Sequence, residues 1–193
     1  MKPIPHFFSD SLEYFKEVIT GSKCYLEYGS GGSTVYAINE AKVPNLISIE
    51  SSSKWYNEVK NSLNNLNSNV FLEYCDIGEV KEWGFPKNNS KINNFWQYTI
   101  KPWIIAKEQN LNPDLILIDG RFRVSCFLYS LYRSKKHSII LFDDYFDRPK
   151  YSIIENFVEI KDKKGNMAVV INNQEYNHIN LIDKIIEYSI IPD

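Results

Sequence analysis

Tyr25-Leu-Glu-Tyr-Gly-Ser-Gly-Gly-Ser-Thr34 decides how this chain folds. An apolar run from Cys24 to Tyr28 breaks into three glycines within four residues, Gly29, Gly31 and Gly32. Ser33 and Thr34 follow, then the helix-like Val35-Tyr-Ala-Ile38. This is a strand, a tight turn that requires glycine, and a helix start with polar capping residues. Such a corner lets a ligand approach bare backbone N–H groups at the positive end of a helix. Glu50 closes a second apolar run, Leu46-Ile-Ser-Ile49. An acid roughly 20 positions beyond such glycines is where a nucleotide-binding β-α-β unit keeps its ribose-binding carboxylate.

Working outward, the pattern predicts alternating helices and strands. Leu12, Phe15, Val18 and Ile19 give a first helix its apolar face, with Ser9 or Asp10 as cap and Gly21 as stop. Cys24–Tyr28 is the first strand and 33–42 a helix. Leu46–Glu50 is the second strand, and 53–65 a helix with Trp55, Val59, Leu63 and Leu66 at helical spacing. Val70–Tyr74 is the third strand, ending at Cys75-Asp76. Residues 77–98 form a long loop carrying Trp83, Phe85, Trp96 and Tyr98, a composition that suits a lid or binding loop. Pro102–Gln109 (helix), Asp114–Ile118 (strand), Arg121–Arg133 (helix), Ser138–Phe142 (strand) and a helix from Pro149 to Asn156 follow. Phe157–Lys161 and Met167–Ile171 then read as an antiparallel hairpin around Gly165, and Tyr176–Tyr188 as a last amphipathic helix. The fold class is therefore α/β: a doubly wound, mostly parallel sheet with a C-terminal antiparallel hairpin, in one domain spanning 1–193.

The 193 residues are 44% hydrophobic and 15% aromatic, with formal net charge -2. Balanced charge gives no electrostatic case for nucleic acid or an anionic membrane. No run reaches the roughly 20 apolar residues of a membrane helix. Cys24, Cys75 and Cys126 lie far apart in or beside apolar runs, which predicts buried reduced thiols and a cytoplasmic setting.

With these elements in order, the stretch from about Lys23 to Ile171 resembles the class I S-adenosylmethionine-dependent methyltransferases. The family's acid two residues before a Gly-x-Gly-Gly turn stands here as Glu27-Tyr-Gly29-Ser-Gly31-Gly32. Its second-strand acid matches Glu50, and its third-strand acid Asp76-Ile77. The resemblance implies that S-adenosylmethionine lies along Glu27, Gly29, Ser30, Gly31, Ser33, Thr34, Glu50, Ser51, Asp76, Ile77 and Asp119. Leu115-Ile-Leu-Ile-Asp119-Gly120-Arg121 and Ile139-Ile-Leu-Phe-Asp143-Asp144-Tyr145 further resemble metal-assisted sugar and catechol-type O-methyltransferases. That likeness implies Asp119, Asp143 and Asp144 as ligands of a cation such as Mg²⁺. Where sugar O-methyltransferases often read Asp-Gly-Asp, this chain has Asp119-Gly120-Arg121, a base in place of an acid. Asp119-Gly-Arg-Phe-Arg-Val-Ser-Cys126 also resembles a group of uncharacterised bacterial methyltransferase-like proteins.

Three carboxylates at adjacent strand ends raise one another's pKa unless a cation or an arginine neutralises them. Hard oxygen donors suit Mg²⁺, whereas Arg121, Arg123 or Arg148 would neutralise the acids without metal. The arginines would alternatively grip an anionic acceptor through bidentate bonds. Tyr145 is a candidate proton acceptor beside the acids. His6, His137 and His178 lie at a terminus, a pre-strand turn and a helix start, and receive no catalytic role. The expected activity is O-methylation of a small polar acceptor such as a sugar or metabolite, with Asp119, Asp143, Asp144, Arg121 and Tyr145 around it. A catalytically inactive nucleoside-binding module and an NAD(P)-dependent oxidoreductase are the alternatives. Thr34 in place of a third glycine weighs against a nicotinamide site. A homo-oligomer built on the aromatic loop 77–98 is also open.

Overall fold

A computed structural model of the chain describes residues 3–64 and 67–193. Seven strands form one sheet in the order β3-β2-β1-β4-β5-β7-β6. β1 (Cys24–Tyr28), β2 (Asn45–Glu50), β3 (Asn69–Tyr74), β4 (Leu115–Ile118) and β5 (Ile139–Phe142) run parallel, and β6 (Asp162–Lys164) and β7 (Met167–Ile171) close the edge as an antiparallel hairpin. Alternate residues of the central strands go to opposite faces, as the two-residue period demands. Leu26, Tyr28, Ile116, Ile118 and Phe142 pack beneath α4 (Phe95–Glu108), α5 (Arg123–Arg133) and α6 (His178–Tyr188). Tyr25, Leu115, Leu117 and Leu141 pack beneath α1 (Ser9–Ile19) and α2 (Gly32–Asn39). α3 (Ser53–Lys60) connects β2 to β3. This is the doubly wound architecture expected. All three cysteines are buried and free. Among the described residues, no helix is long and apolar enough to cross a membrane.

From β1 the chain winds outward to β2 and β3; from β4 it winds the other way to β5. The crevice between the C-terminal ends of β1 and β4 is thus the topological switch point, where such sheets bind ligands. The two departing loops touch main chain to main chain there. Gly29 has φ +90, and a Cβ on it would lie 2.7 Å from the Cα of Gly120. Only glycine tolerates both the angle and the approach.

Several boundaries differ from expectation for identifiable reasons. The helix expected from Pro102 begins at Phe95, with Pro102 inside it, so Trp96 and Tyr98 are helical rather than part of a loop. Burying Phe95 and Tyr98 offsets the one hydrogen bond that proline cannot donate. The remaining loop is ordered by 3₁₀ turns at Glu82–Gly84 and Ile92–Asn94 and a bridge between Val80 and Pro86. The helix expected over 53–65 ends at Lys60, before the polar run from Asn61 to Asn64; Leu66 lies outside the described residues. The hairpin partner of β7 is Asp162–Lys164, not Phe157–Lys161. The two-residue turn Gly165-Asn166 sets that register, because the shortest turns best match strand twist. Pro149–Asn156 is a 3₁₀ rather than an α-helix.

Candidate functional site

The glycine corner stands on Glu27. Its carboxylate is fully buried and accepts hydrogen bonds from the hydroxyls of Tyr25 (2.9 Å), Ser48 (2.8 Å), Ser33 and Thr34. Burial raises its pKa to about 7, against the pull of those four donors. Thr34 Oγ1 also accepts from Gly31 N at 2.8 Å, so the first turn of α2 is capped from within the loop. The resemblance implied that Glu27, Ser33 and Thr34 contact a ligand. The structure instead turns their side chains under the loop, where they shape it. Ser30 Oγ is likewise paired with Ser48 Oγ at 2.7 Å. What remains toward the crevice is partly exposed main chain at Gly29 and Gly31.

Glu50, at the tip of β2, is 6% exposed. Its Oε1 accepts from the backbone N–H groups of Ser51 (2.8 Å) and Ser52 (2.6 Å). Oε2 has no partner among the described residues and keeps contact with solvent. Burial raises the pKa to about 7, opposed by those backbone donors. Over this carboxylate runs the 80–86 segment. Ser51 Oγ donates to the Gly84 carbonyl at 3.3 Å, and the Phe85 ring centre lies 5.7 Å from the Arg121 guanidinium carbon. Trp83 lies in the left-handed region (φ 60), which is unfavourable for a bulky side chain, while Gly84 adopts its positive φ (71) freely. Asp76 lies at the end of β3, bonded to Gly78 N and Lys91, with Ile77 buried behind it. Of the two tryptophans expected in the loop, Trp83 is 80% exposed and Trp96, in the first turn of α4, is 46% exposed.

The acids at the ends of β4 and β5 do converge. One carboxylate oxygen each from Asp119, Asp143 and Asp144 lies within 4.8 Å of the others. A single arginine threads the cluster. Arg123 Nη2 bonds Asp119 Oδ1 (2.9 Å), and Nη1 bonds Asp144 Oδ2 (3.3 Å). Its N–H groups also reach the carbonyls of Asp119, Gly120 and Asp143. Arg148 holds Asp144 Oδ2 at 2.7 Å. Asp143 is left over: its Oδ1 is buried without a partner, and burial, with Asp119 and Asp144 nearby, lifts its pKa to about 8. Burial raises Asp119 as well, against the pull of Arg123. Phe122 and Asp144, on either side, both have positive φ.

Tyr145 does not serve this cluster. Its hydroxyl donates to Glu155 at 2.6 Å, and burial together with that carboxylate pushes its pKa well above the usual tyrosine value, the wrong direction for a proton acceptor. Arg121 is buried, and its Nη1 donates to the main-chain oxygen of Asp193 at 2.8 Å. Asp193, the fivefold engagement of Arg123 and the placing of the 80–86 segment were not anticipated. Apart from the Asp119–Arg123 pair, four positions apart, no sequence spacing marks them, since the other contacts span between 20 and 72 positions or join a side chain to a carbonyl.

No protein-family model matches this chain, and no curated protein does. Among solved structures, it is similar to a methyltransferase-like protein from Silicibacter pomeroyi, with 27% identity, a TM-score of 0.84 and 99% of each chain covered. It is also similar to an O-methyltransferase from Bacillus cereus in complex with S-adenosylhomocysteine (SAH), with 18% identity and a TM-score of 0.50. That match covers 80% of this chain and 64% of the other, and is a likeness of fold.

Proposed function

We propose that this chain, a class I methyltransferase-fold protein, is an S-adenosylmethionine-dependent methyltransferase acting on a hydroxyl of a small polar acceptor. The observation that carries the reading is the meeting, at the switch point, of side-chain-free backbone at Gly29 and Gly31 with the solvent-facing Oε2 of Glu50. The bare glycine main chain there leaves room for the methionine portion, its Gly29 and Gly31 N–H groups being taken by the Ile49 carbonyl and Thr34 Oγ1; Glu50 suits the ribose hydroxyls, and the Asp76-Ile77 step the adenine.

When bound, S-adenosylmethionine supplies an electrophilic methyl on a sulfonium. The protein's share is then to align the acceptor and remove its proton. Asp119 and Asp143 are the carboxylates suited to that removal. With its pKa raised to about 8 by burial and by Asp119 and Asp144, Asp143 is mostly protonated at neutrality and acts as a base only through its ionised fraction. Arg123 fixes the orientation of Asp119 and Asp144. The donor set also fits a hard divalent cation, because three carboxylates converge and Asp143 Oδ1 is orphaned and buried. Asp119, Asp143 and Asp144 would hold it, and a cation there would position and polarise the acceptor oxygen.

Calorimetry with SAH and, separately, with NADH tests the cofactor. SAH binding without NADH binding is the expected result; the reverse makes the chain an oxidoreductase. One observation favours a second reading. The 80–86 segment lies on the Glu50 side of the crevice, as it would in a nucleoside-binding module without turnover. SAH affinity with no methyl transfer to hydroxyl acceptors, with or without Mg²⁺, would establish that module.

A further inference from the structure

α5 has no cap of its own. Its N-cap is Phe122, in the left-handed region at φ 55, and its first turn holds no acid. The carboxylate of Asp193 meets the free amides instead: Oδ1 lies 2.7 Å from Arg123 N, and Oδ2 lies 3.3 Å from Val124 N. The main-chain oxygen of the same residue accepts from Arg121 Nη1 at 2.8 Å. A carboxylate at a helix N-terminus beside a guanidinium is an anion site with an anion in it.

The donors exceed what Asp193 uses. Arg121 is 6% exposed, yet its Nε is buried without a hydrogen-bond partner among the described residues. Its neighbour Arg123, also buried, is engaged at all three nitrogens. A contact made only to tie down the chain would satisfy a buried cation, since an unpaired one is costly. Burial accordingly lowers the Arg121 pKa. Lys150 adds further positive field at Asp193. The position is also apt. Arg121 follows Asp119 by two residues, and Arg123 joins the helix end to both Asp119 and Asp144.

We propose that the N-terminus of α5 together with Arg121 is a carboxylate-binding subsite of the acceptor pocket, in which Asp193 stands in for the carboxylate of a small hydroxy acid. Incoming acid displaces Asp193, and its hydroxyl then faces the Asp119–Asp143–Asp144 cluster. The role as acceptor subsite rests on the methyltransferase reading; carboxylate binding rests on these donors alone.

The test follows the Arg123 and Val124 amide resonances of the full chain, ¹⁵N-labelled, during titration with sodium acetate at constant ionic strength. Asp193→Ala is expected to saturate at a concentration at least tenfold lower than the unaltered chain, while acetamide leaves both resonances in place. Adding Arg121→Gln should weaken acetate binding at least tenfold. Asp193→Asn, which keeps the side chain's size without its charge, replaces the alanine variant if that one does not fold. A well-dispersed spectrum with no saturable acetate response, an equal response to acetamide, or indifference to Arg121→Gln overturns the proposal. SAH titrated on the Gly29 and Gly31 amides separates the two ideas. Acetate binding without SAH binding keeps the subsite and removes the cofactor; SAH binding without acetate binding does the reverse.

Discussion

In the proposed cofactor site, Glu50 is the side chain assigned to the ribose. One of its oxygens is committed to backbone amides and the other is free. Glu50→Ala should weaken SAH by at least about tenfold, the worth of one lost charge-assisted bond. Calorimetry showing unchanged affinity would remove the ribose assignment. Glu27 has the opposite character, a carboxylate spent entirely on structure. Its pKa rises from 4.5 to about 7 on folding, so the folded state favours the protonated form. Its stabilising contribution is complete below about pH 4.5 and lost as pH rises through about 7. The loss is on the order of 3 kcal/mol. In Glu27→Gln that part of the pH dependence should disappear, leaving the shares due to Glu50, Asp119, Asp143 and Asp193; urea melts at pH 4.5, 6 and 8 would show it. Gly29→Ala should cost on the order of 2–3 kcal/mol, since the new Cβ meets Gly120 and φ is +90. Asp143→Asn should abolish any proton released on Mg²⁺ binding, read from calorimetry in buffers of different ionisation enthalpy.

Among the elements, the 80–86 segment lies against the Glu50 side of the crevice. Val80 bridges Pro86, Gly84 rests on Ser51, and Phe85 lies beside Arg121. Trp83 projects at 80% exposure, with its ring 6.3 Å from that of His6. Exposed tryptophan on a strained turn is a built-in reporter. Its fluorescence should change on SAH binding, and backbone amides of 80–86 should alter their hydrogen exchange. If SAH binds and neither signal moves, the segment is a fixed wall. Replacing 80–86 by a glycine–serine linker should then leave the association rate unchanged rather than raise it. The sequence marks this stretch as a loop with aromatics, but not where it lies. Its aromatic residues divide between core, helix and surface according to which strand end they meet, and no local spacing encodes that.

For the molecule as a whole, the strands are reordered between chain and sheet, with the first strand at the centre. Strand–glycine–helix at the start and a hairpin at the end are local patterns. They therefore foretold a mostly parallel sheet with an antiparallel C-terminal hairpin, while the strand order β3-β2-β1-β4-β5-β7-β6 and its switch point are given by the tertiary structure. A ligand that binds only the folded state stabilises it, by about 2.7 kcal/mol at a hundredfold excess over Kd. SAH should raise the melting temperature accordingly and NADH should not. Absence of any shift with saturating SAH would leave the fold without its proposed ligand.

The amino-acid order alone determined the α/β class, the glycine corner, Glu50 at its strand tip, the three converging acids and the buried thiols. Each depends on period, turn chemistry or position at a strand end, all written within a few residues. Only tertiary structure decided that Glu27 supports the loop and that Tyr145 faces Glu155. It also decided that Arg123 binds the acids together and that Asp193 closes the head of α5. Those outcomes depend on which polar groups meet after burial, when each must find a partner among groups distant in sequence.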